Sequence, residues 1–287
     1  MTIENIKTIA IAGAGTMGQG IAQVCATAGF LVVLYDISAS QLDAAKTLIQ
    51  QSLKVAVEKG KLTASESENT FSRIQFQSDV HALKADLVIE AAIENLDVKK
   101  ELFITLETIN TESCILTTNT SSIPVTQIAS ALKRPHRFAG AHFFNPAPVM
   151  KLVEIISGVD TDSQTIDTLK ALCEKLGKTT VLAKDSPGFI VNRVARHYYV
   201  EALKVLEENV TDTKTIDTLM KASGFKMGPF ELMDLIGVDT NFSVTTSMYH
   251  AFYQDAKFRP SLIQQQKVDA GHHGRKSGKG FYEYDKK

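Results

Sequence analysis

Cysteine is scarce in this chain of 287 residues, and Cys25, Cys114 and Cys173 lie far apart. No two of them have the C-x-x-C spacing of a redox or zinc motif. The spacing argues against a disulfide framework and favours a protein that works in a reducing compartment.

An excess of charge of one sign is also missing. The chain has 31 basic and 32 acidic residues, which gives a formal net charge of −1. Nucleic-acid-binding proteins are usually strongly basic, so we expect no nucleic-acid partner. A local basic patch for a small anionic ligand is compatible with this balance.

Long apolar runs are absent as well. No run reaches the roughly 18 to 20 residues that a membrane helix needs, so we expect no membrane partner. The first residues, Met1 to Lys7, carry two charges and lead straight into a predicted strand. We therefore expect no signal peptide and a cytoplasmic location, and the sequence predicts no metal site.

The first two thirds of the chain alternate short β-branched runs with amphipathic stretches, which is typical of a parallel sheet covered by helices. This predicts an α/β fold of the Rossmann type, with a mainly parallel sheet and helices on both faces. The predicted strands are Thr8–Ala12, Phe30–Tyr35, Ile74–Phe76, Leu87–Glu90, Cys114–Thr118, Phe138–His142, Leu152–Ile156 and Thr179–Leu182. The predicted helices are Thr16–Ala28, Ser40–Lys59, Asp97–Ile109, Val125–Ala131 and Ser163–Leu176.

The pattern changes after Lys184. A turn cluster, Asp185-Ser186-Pro187-Gly188, is followed by helical periodicity with no convincing strand before the tail. We predict a Rossmann-type nucleotide-binding domain over residues 1–185 and an all-α C-terminal domain over residues 186–287. The helices predicted there are Ile190–Glu208, Thr213–Ala222, Pro229–Leu235, Thr240–Ala256 and Ser261–Ala270.

A glycine-rich run, Gly13-Ala14-Gly15-Thr16-Met17-Gly18, lies between the first predicted strand and the first predicted helix. Gly13 would permit the tight turn, Gly15 would let the backbone approach a pyrophosphate, and Gly18 would allow close helix–strand packing. The free N–H groups at the start of the helix would face the phosphates. In this context the run predicts a dinucleotide site.

Asp36 closes the second predicted strand, 23 positions after Gly13. A carboxylate there accepts hydrogen bonds from ribose hydroxyls and repels a 2′-phosphate, which favours NAD over NADP. The next residues are Ile37 and Ser38, and neither is an arginine that could pair with a 2′-phosphate. The cofactor alone does not identify the reaction, because this fold supports many reactions.

His142 is placed at the carboxyl end of a predicted strand, where ligands of doubly wound sheets bind. A free imidazole titrates near neutral pH and can accept the proton of an alcohol. Glu154 follows twelve positions later, so a returning strand could bring its carboxylate to the second ring nitrogen. In isolation, His142 could equally be a hydrogen-bonded structural histidine, and a glutamate such as Glu154 is more often a solvated strand charge.

Several motifs together resemble the L-3-hydroxyacyl-CoA dehydrogenase family, and most closely its monofunctional 3-hydroxybutyryl-CoA dehydrogenases. The resemblance covers essentially the whole chain, from the first strand to Gly274–Tyr282. The motifs are Gly13–Gly18, Asn119-Thr120-Ser121-Ser122, His142–Pro146, Met150–Glu154, Ser186–Arg193 and Lys226–Leu232.

The resemblance implies catalytic roles for four residues. His142 would be the general base and Glu154 its carboxylate partner. Ser121 would contact the substrate hydroxyl region and the nicotinamide, and Asn192 the thioester end of the substrate. The alternative interpretations are that Ser121 caps a helix and that Asn192 is an ordinary exposed helix residue.

The resemblance also implies binding residues. Glu94, Lys99 and Asn145 would line the NAD pocket, and Lys276 in the tail would approach it. Ser52 and Lys59 would contact CoA, and their spacing puts them on one helical face. They could equally form a solvated helix face.

The resemblance therefore implies NAD-dependent oxidation of a (S)-3-hydroxyacyl-CoA, such as 3-hydroxybutyryl-CoA, in fatty-acid or related acyl metabolism. It also implies a homodimer formed through the C-terminal domain. Two rivals stay open at this stage: a dehydrogenase of a free hydroxy or sugar acid, and a non-catalytic NAD-binding structural or regulatory protein.

Overall fold

The structure, a computed structural model that describes residues 2–285, divides into two compact units, Met1–Ser186 and Pro187–Lys287. The first unit is built on an eight-stranded sheet in the order β3-β2-β1-β4-β5-β6-β7-β8. Neighbouring strands are parallel except β6 and β7, which are antiparallel. The strands are β1 Thr8–Ala12, β2 Leu31–Tyr35, β3 Ile74–Gln77, β4 Leu87–Glu90, β5 Ile115–Thr118, β6 Phe138–Phe143, β7 Leu152–Ser157 and β8 Thr179–Lys184.

Six α-helices accompany the sheet within the described part of this unit. They are α1 Thr16–Thr27, α2 Ala39–Glu58, α3 Ala64–Ser72, α4 Leu96–Ile109, α5 Val125–Ala129 and α6 Ser163–Lys175. Residues from α1, α2 and α6 share one core with Ala139, Ala141 and Phe143 of β6. Phe138 alternates to the other face of β6, where its ring meets Phe103 of α4 at 4.7 Å. Helices therefore cover both faces, and the predicted fold class is confirmed.

The strand order determines where a ligand can bind. The chain runs from β1 outward to β2 and β3, then returns to the other side of β1 with β4. The connections after β1 and β4 therefore diverge at the carboxyl ends of these strands. A crevice at such a switch point is the usual ligand site of an open α/β sheet.

Helix α3 was missing from the sequence prediction. Its start carries a capping box: the Glu66 N–H donates to Thr63 Oγ1 at 3.2 Å, and Glu66 Oε2 accepts the Thr63 N–H at 2.7 Å. The T-x-x-E pattern is a helix-start signal. The helix was not predicted from this signal because α3 shows little apolar periodicity, and its one buried residue is Thr70.

The second unit is helical, as predicted. Its helices are α7 Val191–Glu207, α8 Thr213–Ala222, α9 Pro229–Ile236, α10 Val238–Ala251 and α11 Leu262–Asp269. The Asp234 carboxylate accepts the N–H groups of Phe281 and Tyr282, both at 2.9 Å, and so ties the tail to α9. Within residues 2–285, no helix is both long and apolar enough to cross a bilayer.

Candidate active site

The turn between β1 and α1 needs glycine at two positions for steric reasons. Gly13 has φ +111°, and a Cβ there would lie 2.5 Å from the Ala91 carbonyl oxygen. A Cβ on Gly18 would lie 1.8 Å from the Gly13 carbonyl oxygen, so helix and turn pack backbone to backbone. Both positions therefore play the structural roles that the sequence predicts for them.

Gly15 is different, because a Cβ there would meet no described atom within 4 Å. The fold itself does not need glycine at this position. Gly15 is the N-cap of α1, whose first N–H groups point out of the helix end. Open space beside these donors fits a pyrophosphate that approaches the backbone closely.

Asp36 lies directly after β2, beside the glycine-rich turn. Its Oδ2 accepts the Ala14 N–H at 2.9 Å, and its Oδ1 accepts the Ser38 N–H at 3.0 Å. These bonds fix the carboxylate but use only part of its capacity, because each oxygen has two lone pairs. Asp36 and the glycine-rich turn thus lie together, and their geometry fits NAD.

Glu94 organises the turn that carries Ser121. One carboxylate oxygen, Oε1, accepts the backbone N–H groups of Ser121 at 3.1 Å and Ser122 at 3.2 Å. The same oxygen accepts the hydroxyls of Thr120 and Ser122. Burial would raise the pKa of the Glu94 carboxyl, but the Lys99 charge and these hydrogen bonds outweigh burial and hold that pKa below its ordinary value.

Lys99 lies beneath this turn and is only 1% exposed. Its ammonium pairs with Glu90, which is fully buried, and lies 3.3 Å from Glu94 Oε2. Glu90 also accepts the Thr118 hydroxyl at 2.7 Å. The Lys99 amine is therefore buried and does not itself line the surface of the site. It acts on the site through its ion pair with Glu94.

His142 and Glu154 face each other across the antiparallel pair β6–β7. Nδ1 of His142 lies 2.8 Å from Oε2 of Glu154, and the residues are 6% and 1% exposed. The returning strand and the contact expected from the twelve-residue spacing are both present. A carboxylate in this position fixes the ring tautomer and stabilises a charge on the imidazole.

Asn119 connects the His142 strand to the Ser121 turn. Its Oδ1 accepts the N–H of Phe143, the residue after His142, at 2.8 Å. The sequence predictions gave no role to Asn119 or to Glu90. A carboxylate that ends an otherwise apolar strand was the available signal for Glu90, but its partner Lys99 could be identified only in three dimensions.

A groove and a larger cavity extend along α1 and α2. The groove, of about 200 Å³, is lined by Asn145, by Ser52 and by the loop that follows β6. The cavity, of about 510 Å³, shares Ser52 with the groove and contains Lys59. Four lysines and no carboxylate line the cavity: Lys59, Lys61, Lys175 and Lys178. Ser52 and Lys59 thus line one cavity with three further lysines, and their contact with CoA stays a prediction.

Two predicted site residues belong to the helical unit. Asn192 is the second residue of α7. The amine of Lys276 lies 2.7 Å from the Asp239 carboxylate near the start of α10, and half of its side chain is exposed. Their proposed roles toward the cofactor and substrate stay predictions.

Comparison with known families agrees with this geometry. Residues 8–186 match the family model of the NAD-binding domain of 3-hydroxyacyl-CoA dehydrogenase, and residues 188–284 match the model of its C-terminal domain. The chain thus contains a Rossmann-type NAD-binding domain. It belongs to the 3-hydroxyacyl-CoA dehydrogenase family of NAD-dependent oxidoreductases, which confirms the predicted resemblance.

Individual relatives match nearly all of the chain. The 3-hydroxyadipyl-CoA dehydrogenase of Escherichia coli K12 is 51% identical over 98% of this chain, but the chain spans only 59% of that relative. A probable 3-hydroxybutyryl-CoA dehydrogenase of Bacillus subtilis is 44% identical, with 98% of this chain and 99% of the relative covered. The crystal structure of (S)-3-hydroxybutyryl-CoA dehydrogenase from Ralstonia eutropha is 42% identical, covers 98% of this chain and 100% of that one, and gives a TM-score of 0.93.

Proposed function

We propose that this protein oxidises the 3-hydroxyl of a short (S)-3-hydroxyacyl-CoA with NAD and catalyses the reverse reduction. The observation that carries the proposal is the buried contact of 2.8 Å between His142 and Glu154 in the NAD-binding unit. A histidine oriented by a carboxylate can act as the general base that alcohol oxidation uses.

The tautomer of His142 follows from its partner. With Nδ1–H donated to the Glu154 carboxylate, the neutral ring has its lone pair on Nε2. Nε2 then takes the proton of the 3-hydroxyl, and Glu154 stabilises the imidazolium that forms. Bound NAD supplies a nicotinamide ring that accepts the hydride from C3, which leaves a 3-ketoacyl-CoA.

Positioning falls to other residues. We propose that Ser121 contacts the hydroxyl region of the substrate from a turn that Glu94 holds. Asn192, near the start of α7, contacts the thioester end. Asn145 and Lys276 contribute to the cofactor site. Asp36 accepts the ribose hydroxyls and disfavours NADP.

The cationic cavity supports a CoA thioester over a free hydroxy acid. CoA carries a pyrophosphate and a 3′-phosphate, and the four lysines of the cavity match this anionic charge. Ser52 lines both the groove and the cavity and so connects the two spaces. A free acid would leave these lysines without a ligand.

The acyl group has two candidates. The name of the Bacillus subtilis relative favours 3-hydroxybutyryl-CoA, and the name of the Escherichia coli relative favours the dicarboxylic 3-hydroxyadipyl-CoA. We propose the four-carbon substrate first, and the rates with the two thioesters decide between them.

We further propose a homodimer formed through the helical unit and a cytoplasmic location. Exposed apolar side chains on that unit support the dimer, among them Val194, Val210, Leu219 and Leu262. Three buried, unpaired cysteines fit a reducing compartment. Sedimentation of the purified protein tests the dimer, and a monomer at micromolar concentration would contradict it.

The deciding experiment compares acetoacetyl-CoA with free acetoacetate as oxidants of NADH. We expect turnover with the thioester and almost none with the free acid. Equal rates would favour a hydroxy-acid dehydrogenase. An absence of turnover with every acyl-CoA, alongside tight NADH binding, would favour a non-catalytic NAD-binding protein.

A further inference from the structure

Lys178 is a buried cation without a carboxylate partner among residues 2–285. Helix α6 ends before Gly177, whose φ of +68° turns the chain so that the next side chain points inward. Lys178 is 9% exposed. Burial lowers the pKa of its amine, and the nearby Cys173 and Cys25 thiols offset part of that shift. A buried charge is unfavourable, so its presence calls for an explanation.

The contacts of Lys178 supply one. Its ammonium donates to the carbonyl oxygen of Ala147 at 2.6 Å and to that of Met150 at 2.8 Å. These carbonyls flank the turn of the loop that joins β6 to β7. The same loop connects the strand of His142 to the strand of Glu154.

The other side of this loop packs against α1. A Cβ on Gly20 would lie 3.2 Å from both Ala147 Cβ and Pro148 Cδ, so there is no free space between helix and loop. Helix α1 is also the helix whose N-terminus faces the proposed pyrophosphate site. The loop is thus held between the nucleotide-binding helix and the Lys178 ammonium.

Lys178 also lines the cationic cavity. An ammonium has three N–H donors, and the two loop carbonyls use two of them. One donor and the positive charge therefore remain for an anionic or carbonyl group in the cavity. The same side chain can contact a CoA thioester and hold the loop beside the catalytic pair.

We propose that Lys178 is a positioning residue that fixes the β6–β7 loop and thereby aligns His142 and Glu154 while acyl-CoA occupies the cavity. The inference rests on the proposed acyl-CoA activity. It assigns Lys178 an effect on turnover that a lysine serving only as a phosphate ligand would not have.

The test compares Lys178→Met with Lys61→Met. Lys61 lines the same cavity, but among the described residues no hydrogen bond or ion pair joins its side chain to the loop, in contrast to Lys178. Two substrates separate the roles: acetoacetyl-CoA, and acetoacetyl-N-acetylcysteamine, which lacks the nucleotide and its phosphates. We expect Lys61→Met to raise KM for acetoacetyl-CoA, because it removes one of the lysines that we propose to face the CoA phosphates.

Lys178→Met should lower kcat about tenfold or more with both substrates, because small misplacements of catalytic groups are costly. It should also weaken NADH binding several-fold through the contact with α1, and Lys178→Arg should recover part of both losses. A Lys178→Met variant that raises KM for acetoacetyl-CoA but keeps the parent kcat with both substrates would overturn the proposal.

Two further measurements keep the test decisive. If Lys178→Met does not fold, Gly20→Ala displaces the loop from the opposite side with Lys178 intact, and an unchanged kcat there would overturn the proposal. If the parent protein turns over neither substrate, the proposed activity fails. The NADH affinities of the parent and Lys178→Met proteins then still test the role of Lys178, and equal affinities would refute it.

Discussion

Replacing Glu154 by Gln removes one charge from the catalytic pair and preserves its shape. The glutamine oxygen can still accept the Nδ1–H bond that spans 2.8 Å in the parent protein. The tautomer of His142 is therefore retained, and the main loss is the counter-charge for the imidazolium. This makes the substitution a selective test of electrostatic stabilisation.

The size of the effect follows from the separation and the burial of the pair. Two unit charges about 4 Å apart attract by about 4 kcal/mol at an effective dielectric constant of about 20. Between half and all of the imidazolium charge is present in the transition state, which gives about 2 to 4 kcal/mol. Since about 1.4 kcal/mol changes a rate tenfold, kcat should fall by about 30-fold to 1,000-fold.

The assay follows NADH formation from NAD with (S)-3-hydroxybutyryl-CoA, the direction in which the imidazolium forms, together with NADH affinity measured by fluorescence. We expect NADH affinity to be unchanged and the acidic limb of the pH–rate profile for oxidation to move to lower pH. Glu107→Gln is the matched control, because Glu107 is also buried but binds the backbone N–H groups of Lys133 and Arg134. A kcat for Glu154→Gln within threefold of the parent, with an unmoved pH profile, would refute the reasoning.

Four other substitutions test the cofactor site. Asp36→Ala should relax the preference for NADH over NADPH, and a parent protein that already uses both equally would contradict this. Gly15→Ala should keep the parent Tm but weaken NADH binding, because the added Cβ meets only open space where the pyrophosphate would lie. Gly18→Ala should lower Tm, because its Cβ would clash with the Gly13 carbonyl oxygen. Equal Tm losses in the two variants would contradict this reasoning. Glu94→Gln should lower Tm by about 2–4 °C at pH 7 for a loss of about 1 kcal/mol, a modest value because the side chain is 38% exposed. The folded-state pKa of Glu94 lies below the ordinary 4.5, so the Tm difference between the parent and Glu94→Gln should be complete above about pH 4.5. This Tm difference should shrink as the pH falls further. A Tm difference that does not change with pH would contradict the prediction.

Prediction from the sequence was most accurate where a local residue pattern also has a direct chemical role. The glycines of Gly13–Gly18 predict a tight turn between a strand and a helix from six residues alone. Asp36 follows at the distance expected for a ribose ligand. Both predictions depend on short-range geometry, which the order of residues largely determines.

The contact between His142 and Glu154 was predictable for a related reason. Two strands separated by a short loop place His142 and Glu154 opposite each other once their antiparallel pairing is assumed. The assumption was reasonable because the loop is too short for a crossover connection, which needs a dozen or more residues.

Contacts between distant segments were not predictable. Glu90, Glu94 and Lys99 form one charged cluster at the Ser121 turn, but they come from β4, from the loop after it and from α4, respectively. Lys178 likewise reads as an ordinary lysine after a helix, and only the fold brings its amine to the β6–β7 loop. Each of these contacts depends on how elements pack, which local periodicity does not encode.

The most direct test of the central claim is turnover by His142→Gln with acetoacetyl-CoA and NADH. We expect this variant to bind NADH with the parent affinity and to lose at least about 100-fold in kcat, the lower range for loss of a general base. Near-normal turnover by the purified, folded variant would contradict the assignment of His142 as the base.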